Sequence, residues 1–426
     1  MWHISLLLAP AALALYYFNT HGATAGRLTF WLFSVSLVAL LPLAQFNGDM
    51  VEALARGRTQ IGALMNALLG NVPEIAIGFW LLMQVVRRPS LTESNYTIIH
   101  GLLLGSVIGN ILLTLGLATF AGAWRHGRLR FSQERAAGFA SMLGLAVVGM
   151  ALPTLATAFA DTGHQIFGAN TEEAVGLVVC AILLLSYVAY VAVEDFHWGE
   201  RPAKERAEEK AEAASLEHHA AHHAAEEEHR KLTAAEEAAA LRAAVAKAER
   251  EREKSEEVLT KPLSVGATAF VLILMIGSIA AIFGVCATLV TVSDQVIVAS
   301  PLLTPLSFGL IVLPIICNFG ELLEAAQMAW GKRMEEAMEV AAGSSVQMPL
   351  FVTPVLVFLG FFLALLTPGL QQFTLIFKPL ELVTLGLVVF IYALVNLDGE
   401  TTWLEGVQLT AFYAMIALTA FALPGR

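Results

Sequence analysis

Long apolar runs separated by short polar gaps fill nearly the whole chain, with one polar interruption in the middle. Runs long enough to cross about 30 Å of hydrocarbon fall at residues 3–19, 28–46, 60–86, 97–122, 137–159, 173–194, 263–292, 301–330, 338–366, 375–396 and 403–423. The pattern predicts an all-α polytopic membrane protein with about eleven transmembrane helices. Gly, Pro, Asn or Glu interrupts the third, fourth, eighth and ninth runs. Such breaks are tolerated at membrane depth only where the freed backbone faces protein or a water-filled cavity. The first run has no basic residues ahead of it and no evident cleavage site, so it reads as a retained span.

The interruption is residues 197–258, rich in Ala, Glu, Lys and Arg. It holds 11 of the 25 Lys and Arg and 16 of the 36 Asp and Glu. No Gly or Pro occurs between Pro202 and Pro262, which favours a long helix, but its apolar residues are nearly all Ala. It reads as a solvated helical linker. His218/His222 and His219/His223 are i,i+4 pairs of the kind that chelates a transition metal, although no further ligand completes such a site.

Composition adds the environment. Only 14% of residues are charged, mean hydropathy is +0.68, and soluble domains carry about 25% charged residues. Net charge is -11, which says little about nucleic acid. Cys180, Cys286 and Cys317 all lie in apolar runs, so no disulfide framework is expected. Basic residues orient the chain. Arg56, Arg58, Arg125, Arg128, Arg130, Arg135, Lys332, Arg333 and the linker fall on one side, against Arg27, Arg87, Arg88, Lys378 and Arg426 on the other. The positive-inside rule puts the N-terminus and linker in the cytoplasm and the C-terminus outside.

Against that background two carboxylates stand out, Glu74 in "GNVPEIAIGFW" and Glu321 in "CNFGELLEAAQ". A carboxylate at the centre of a spanning helix costs about 2.5–3.5 kcal/mol on insertion scales. Each is preceded at i−3 by an asparagine, Asn71 or Asn318, which helix geometry puts on the same face. Each is followed one span later by Gly-Ser: Ser106 comes 32 residues after Glu74 and Ser344 comes 23 after Glu321. The glutamates sit five spans apart, so the two copies run in opposite directions. The expected organisation is an N-terminal helix (1–27), a five-helix repeat (28–196), the linker (197–260) and an inverted five-helix repeat (261–426). That is an architecture of secondary transporters, with the site where broken helices of both halves meet.

At these residues the chain resembles the cation/proton exchanger family, the calcium/proton antiporters of the wider cation/calcium exchanger superfamily. "IGALMNALLGNVPEIAIGFW" is similar to the family's first signature, where Gly-Asn-Ala-Thr-Glu is usual. "LIVLPIICNFGELLEAAQMAWGKRMEEAMEVAAGSSVQMPLFVTPVLVFLG" is similar to the second. "GSVIGNILLTLG" and "DGETTWLEGVQLTAFYAMIALTAF" resemble the fourth helix and the last loop and helix. The likeness covers nearly all of residues 28–423. It implies that Glu74 and Glu321 bind calcium and protons alternately, with Asn71, Asn318, Ser106, Ser344 and Gln347 as the accompanying polar positions. Three departures bear on ion choice. Leu322 stands where the family commonly has His, Cys317 replaces the usual Gly, and Pro73 is similar to the Pro-Glu pair of the sodium/calcium branch.

The residue chemistry points the same way by itself. Calcium takes six to eight hard oxygens, which two carboxylates, Asn carbonyls and Ser hydroxyls supply in large part. Pro73 has no N–H, so the Leu69 carbonyl loses its helical donor and becomes a candidate ligand; Gly70 lets the backbone leave the helix there. Glu324, at i+3 from Glu321, lines the access path or only its mouth. The expected function is a Ca2+/H+ antiporter, with a Na+/Ca2+ or broader divalent (Mn2+) exchanger as the alternative. Calcium is substrate rather than cofactor, and no cofactor or enzyme activity is expected. Oxygen ligands disfavour zinc and copper, the inverted repeat disfavours a passive channel, and no nucleophile–base pair or HExxH motif suggests an intramembrane hydrolase. The expected location is a membrane, a prokaryotic plasma membrane first.

Overall fold

The computed structural model describes residues 9–16, 28–55, 69–160, 169–194 and 265–422, and these are almost entirely helical. The linker, with its four paired histidines, and the start of the third predicted span lie outside the described residues. Residues 9–16 are helical. Eleven further helices follow: α1 (Thr29–Ala55), α2 (Val72–Arg87), α3 (Pro89–His126), α4 (Gln133–Ala160), α5 (Ala169–Glu194), α6 (Val265–Ala299), α7 (Pro305–Cys317), α8 (Phe319–Trp330), α9 (Met334–Leu366), α10 (Pro379–Val395) and α11 (Trp403–Ala422). Among the described residues seven helices are long and apolar enough to span a bilayer, or eight if α7 and α8 count as one span.

One interrupted run is broken as its residues predict, and another starts as a helix later than predicted. The run 301–330 is two helices bent by 54°, because Asn318 leaves helical geometry between them (φ −95°, ψ 11°). The run 375–396 begins as a helix only at Pro379, with Pro at its start as the missing N–H allows. Residues 367–378 instead form an extended loop whose Phe373, Leu375 and Phe377 are buried. The loop is pinned by Tyr96 Oη donating to the Gln371 carbonyl (2.5 Å) and by Thr154 Oγ1 accepting from the Phe377 N–H (3.0 Å).

Helix α3 is the centre of the bundle, and three glycines let its neighbours approach. Gly101, Gly105 and Gly109 recur every fourth residue, a small-residue stripe of the kind that brings membrane helices into backbone contact. A Cβ on Gly105 would lie 2.1 Å from the Leu310 carbonyl oxygen, so α3 and α7 touch main chain to main chain. Three spans contain a π-helical turn, Gly109–Thr114 in α3, Phe308–Val312 in α7 and Met348–Val352 in α9. In the last of these the Met348 carbonyl accepts both the Thr353 backbone N–H across the widened turn and Thr353 Oγ1 (2.9 Å).

The two halves exchange partners. Helix α1 lies along α6 and also against α7 and α8, while α6 packs on α2. At the His126 end of α3, strands β1 (Leu129–Arg130) and β2 (Glu400–Thr401) pair antiparallel and tie the halves together. Around them the exposed Arg128 and Arg130 meet Glu400, and the exposed Arg135 meets Glu335 and Glu339.

Candidate functional site

Both glutamates occupy the same place in a local structure. Asn71 (φ −98°, ψ 28°) precedes α2 and Asn318 precedes α8, each just off helical geometry. Glu74 and Glu321 are then the third residues of their helices. The unpaired N–H groups of a first turn and the positive end of the helix dipole both favour a carboxylate there. Asn-x-x-Glu thus works as a structural unit, in which the asparagine precedes a helix and the glutamate sits in its first turn.

Glu321 is held from both halves of the chain. Its Oε1 accepts from Ser344 Oγ (2.7 Å) and its Oε2 from Asn110 Nδ2 (2.9 Å). The orientation of Asn110 is itself supported, since Thr114 Oγ1 donates to its Oδ1 (3.3 Å). Glu321 is only partly buried. The face of α8 beyond it, Glu324 and Gln327, is exposed towards the Trp330 end.

Glu74 sits differently. It is 1% exposed and lies close enough to Glu321 for the two charges to interact. Asn71 turns its Nδ2 to Gln347 Oε1 (2.7 Å), a bond that joins the halves. Ser106 Oγ and Asn318 Nδ2 are buried without a hydrogen-bond partner. Asn318 lines a small pocket with Asn110, Thr114, Pro314, Ile315 and Leu322, so the residue standing in place of the family's usual His contributes only an apolar wall.

The residues singled out from sequence are therefore brought together unequally. Asn71 with Gln347 and Glu321 with Ser344 are in direct contact, whereas Ser106 and Asn318 lack a bonded partner. The Leu69 carbonyl accepts from Asn47 Nδ2 (2.7 Å), which occupies one of its two acceptor directions. Sequence reasoning missed Asn110, although it ends the "GSVIGN" stretch and lies four residues after Ser106, on the same helical face. It also missed Asn47. Among the described residues no cluster of three or more His, Cys, Asp and Glu is present. The centre is two carboxylates among neutral amides and hydroxyls, an arrangement suited to a hard cation or to protons.

The fold and this centre define a polytopic helical membrane protein with a pair of carboxylates in the first turns of two helices, α2 and α8. Residues 28–194 and 270–422 match the sodium/calcium exchanger protein family, and the chain belongs to that family. The Ca(2+)/H(+) antiporter of Synechocystis sp. is 31% identical over 96% of this chain and 94% of its own length. That of Aphanothece halophytica is 29% identical over 92% and 90%. The solved structure of native YfkE superimposes with a TM-score of 0.67 at 22% identity, covering 98% of this chain and 100% of its own, which establishes a shared fold. The resemblance to the cation/proton exchangers is thereby borne out.

Proposed function

We propose that the protein exchanges Ca2+ for H+ across its membrane by alternating access, with Glu74 and Glu321 binding either the cation or protons. The observation that carries this is the grip on Glu321. One donor comes from its own half, Ser344, and one from the other, Asn110, so the ion's ligand and the contact between halves are the same group. The similarity to the two cyanobacterial antiporters supplies the substrates.

Charge accounting gives the coupling. With calcium bound, two ionised glutamates and the ion are neutral together; with two protons bound, the glutamates are neutral again. The empty centre would hold two mutually repelling charges away from water, which burial also opposes. The empty carrier therefore crosses rarely, and calcium is traded for about two protons, a ratio that follows from charge balance alone. Ser344 and Asn110 donate to Glu321 and stabilise its ionised form, while Thr114 keeps the Asn110 amide facing it.

The paired Asn-x-x-Glu breaks and the exchange of partners between α1–α6 and the broken helices support two inverted repeats, 28–196 and 261–426. The exposed face running from Glu321 to Trp330 supports access from that side, which the basic residues assign to the cytoplasm, along with the N-terminus and the linker. A plasma membrane agrees with the cyanobacterial relatives. Sodium/calcium exchange is the second reading, favoured by Pro73 beside Glu74.

Calcium uptake into sodium-free proteoliposomes under an imposed pH gradient tests the proposal. Uptake that follows the pH gradient and disappears in Glu74→Gln upholds it. Uptake only when a sodium gradient replaces the proton gradient moves the protein to the sodium branch, and flux indifferent to the mutation removes the two-glutamate mechanism.

A further inference from the structure

The break that presents Glu74 leaves a backbone acceptor to be satisfied. Pro73 has no N–H to return to the Leu69 carbonyl, and at membrane depth an unpaired carbonyl is costly. Helix α1 supplies the missing donor. Asn47, 1% exposed, donates from Nδ2 to the Leu69 carbonyl at 2.7 Å. Its Oδ1 accepts from Ser278 Oγ of α6 at 3.1 Å, a hydroxyl shared with the Met275 carbonyl at 2.8 Å. The amide therefore bridges α1 and α6, one helix from each half, to the residue just before Gly70 and Asn71. Its orientation is unambiguous, because a carbonyl only accepts.

We propose that Asn47 is a positioning residue for the Glu74 half of the site: by donating to the Leu69 carbonyl it sets the break from which Asn71 and Glu74 are presented. The proposal rests on the reading of Glu74 as half of the cation site. Leu69 is two residues from Asn71 and five from Glu74, and the Asn71 amide is already committed to Gln347 across the halves. Without Asn47 the carbonyl turns to find another donor, and the following residues, Gly70 first, turn with it. The Glu74 carboxylate then moves relative to Glu321, and calcium loses one of its two charged ligands from the favourable geometry.

Buried amides also hold this bundle together where no ion binds, so the test needs a control of that kind. Gln84, about 15 Å further along α2, donates from Nε2 to the Val290 carbonyl of α6 at 3.3 Å. Calcium binding by titration calorimetry and thermal unfolding are measured on the purified full-length protein and on Glu74→Gln, Asn47→Leu and Gln84→Leu. The expected result is calcium binding about tenfold weaker in Asn47→Leu, the equivalent of one buried hydrogen bond. In Gln84→Leu the unfolding temperature falls while affinity stays within about twofold. An unchanged affinity in Asn47→Leu, or an equal loss in both, overturns the positioning role. Calcium binding retained in Glu74→Gln would overturn the site itself, whatever Asn47 does. If Asn47→Leu fails to fold, Ser278→Ala loosens the same amide. Binding roughly two- to threefold weaker is then expected, and unchanged binding overturns the proposal.

Discussion

Glu321 and Glu74 are written in nearly the same words and stand in different surroundings. Around Glu321 the hydrogen bonds are made and one side is open. Around Glu74 the carboxylate is sealed, Asn71 faces Gln347, and Ser106 has no partner. The serines that follow are set apart as well. Gly105, before Ser106, is pressed against the Leu310 backbone, whereas Gly343, before Ser344, has nothing within 4 Å of where a Cβ would be. A repeated motif therefore gives equivalent positions without equivalent contacts. Under the proposed alternating access a single state opens to one side only, and half-sites that differ as these do are what it would require.

The largest test of that comparison removes the charges. Glu74→Gln and Glu321→Gln are each expected to reduce calcium uptake in proteoliposomes to background, a loss of at least about a hundredfold. Appreciable uptake in either variant would make that half accessory. Next come the glycines. Gly105→Ala is expected to cost about 3 kcal/mol or more by overpacking against a carbonyl that cannot yield. Gly343→Ala should gain a few tenths to about 1 kcal/mol from helix propensity. Comparable unfolding temperatures for the two would mean that their environments are alike after all.

Smaller effects sharpen the picture within the site. Ser344→Ala and Asn110→Leu each remove a hydrogen bond to a carboxylate, worth about 1.5–3 kcal/mol, so calcium binding should weaken at least about tenfold. Ser106→Ala deletes a hydroxyl with no partner here, and binding should change by less than about threefold. A Ser106 effect as large as that of Ser344 would show that it ligates in the bound state. Smallest is Arg135→Ala. Its exposed ion pairs to Glu335 and Glu339 contribute about 1 kcal/mol or less, and neither affinity nor the choice of counter-ion should move.

Much of this was legible in the chain because membrane physics leaves strong marks. Apolar length gives the helices, and an acidic residue inside such a run demands a reason, so Glu74 and Glu321 were conspicuous. The asparagines followed from spacing on a helix, and the serines from the Gly-Ser that recurs one span after each glutamate. What spacing could not show was contact between segments distant in sequence. Asn110 meets Glu321 from 211 residues away, and that depends on how closely α3 and α8 pack. The interruption of the run 301–330 was marked by its Pro, Asn and Glu, but the 54° bend at Asn318 was not, since an apolar run reads the same whether straight or bent. Residues 375–378 were counted as span because Leu375, Ile376 and Phe377 are apolar. Leu375 and Phe377 are buried where the loop folds back onto Tyr96 and Thr154, not by crossing.

Helix α3 has a consequence for the protein's relation to its membrane. Over its most apolar stretch it is 89% buried, against 28% for Glu173–Ala192. Its apolar side chains are solvated by other helices, not by acyl chains. Changes in bilayer thickness or headgroup therefore act first on the rim, where one apolar residue exchanges readily for another. The carboxylates respond to lipid only through the wall of protein around them. Two helices that are both apolar enough to span thus have different solvents, and the tolerance of each position to substitution follows the solvent it has.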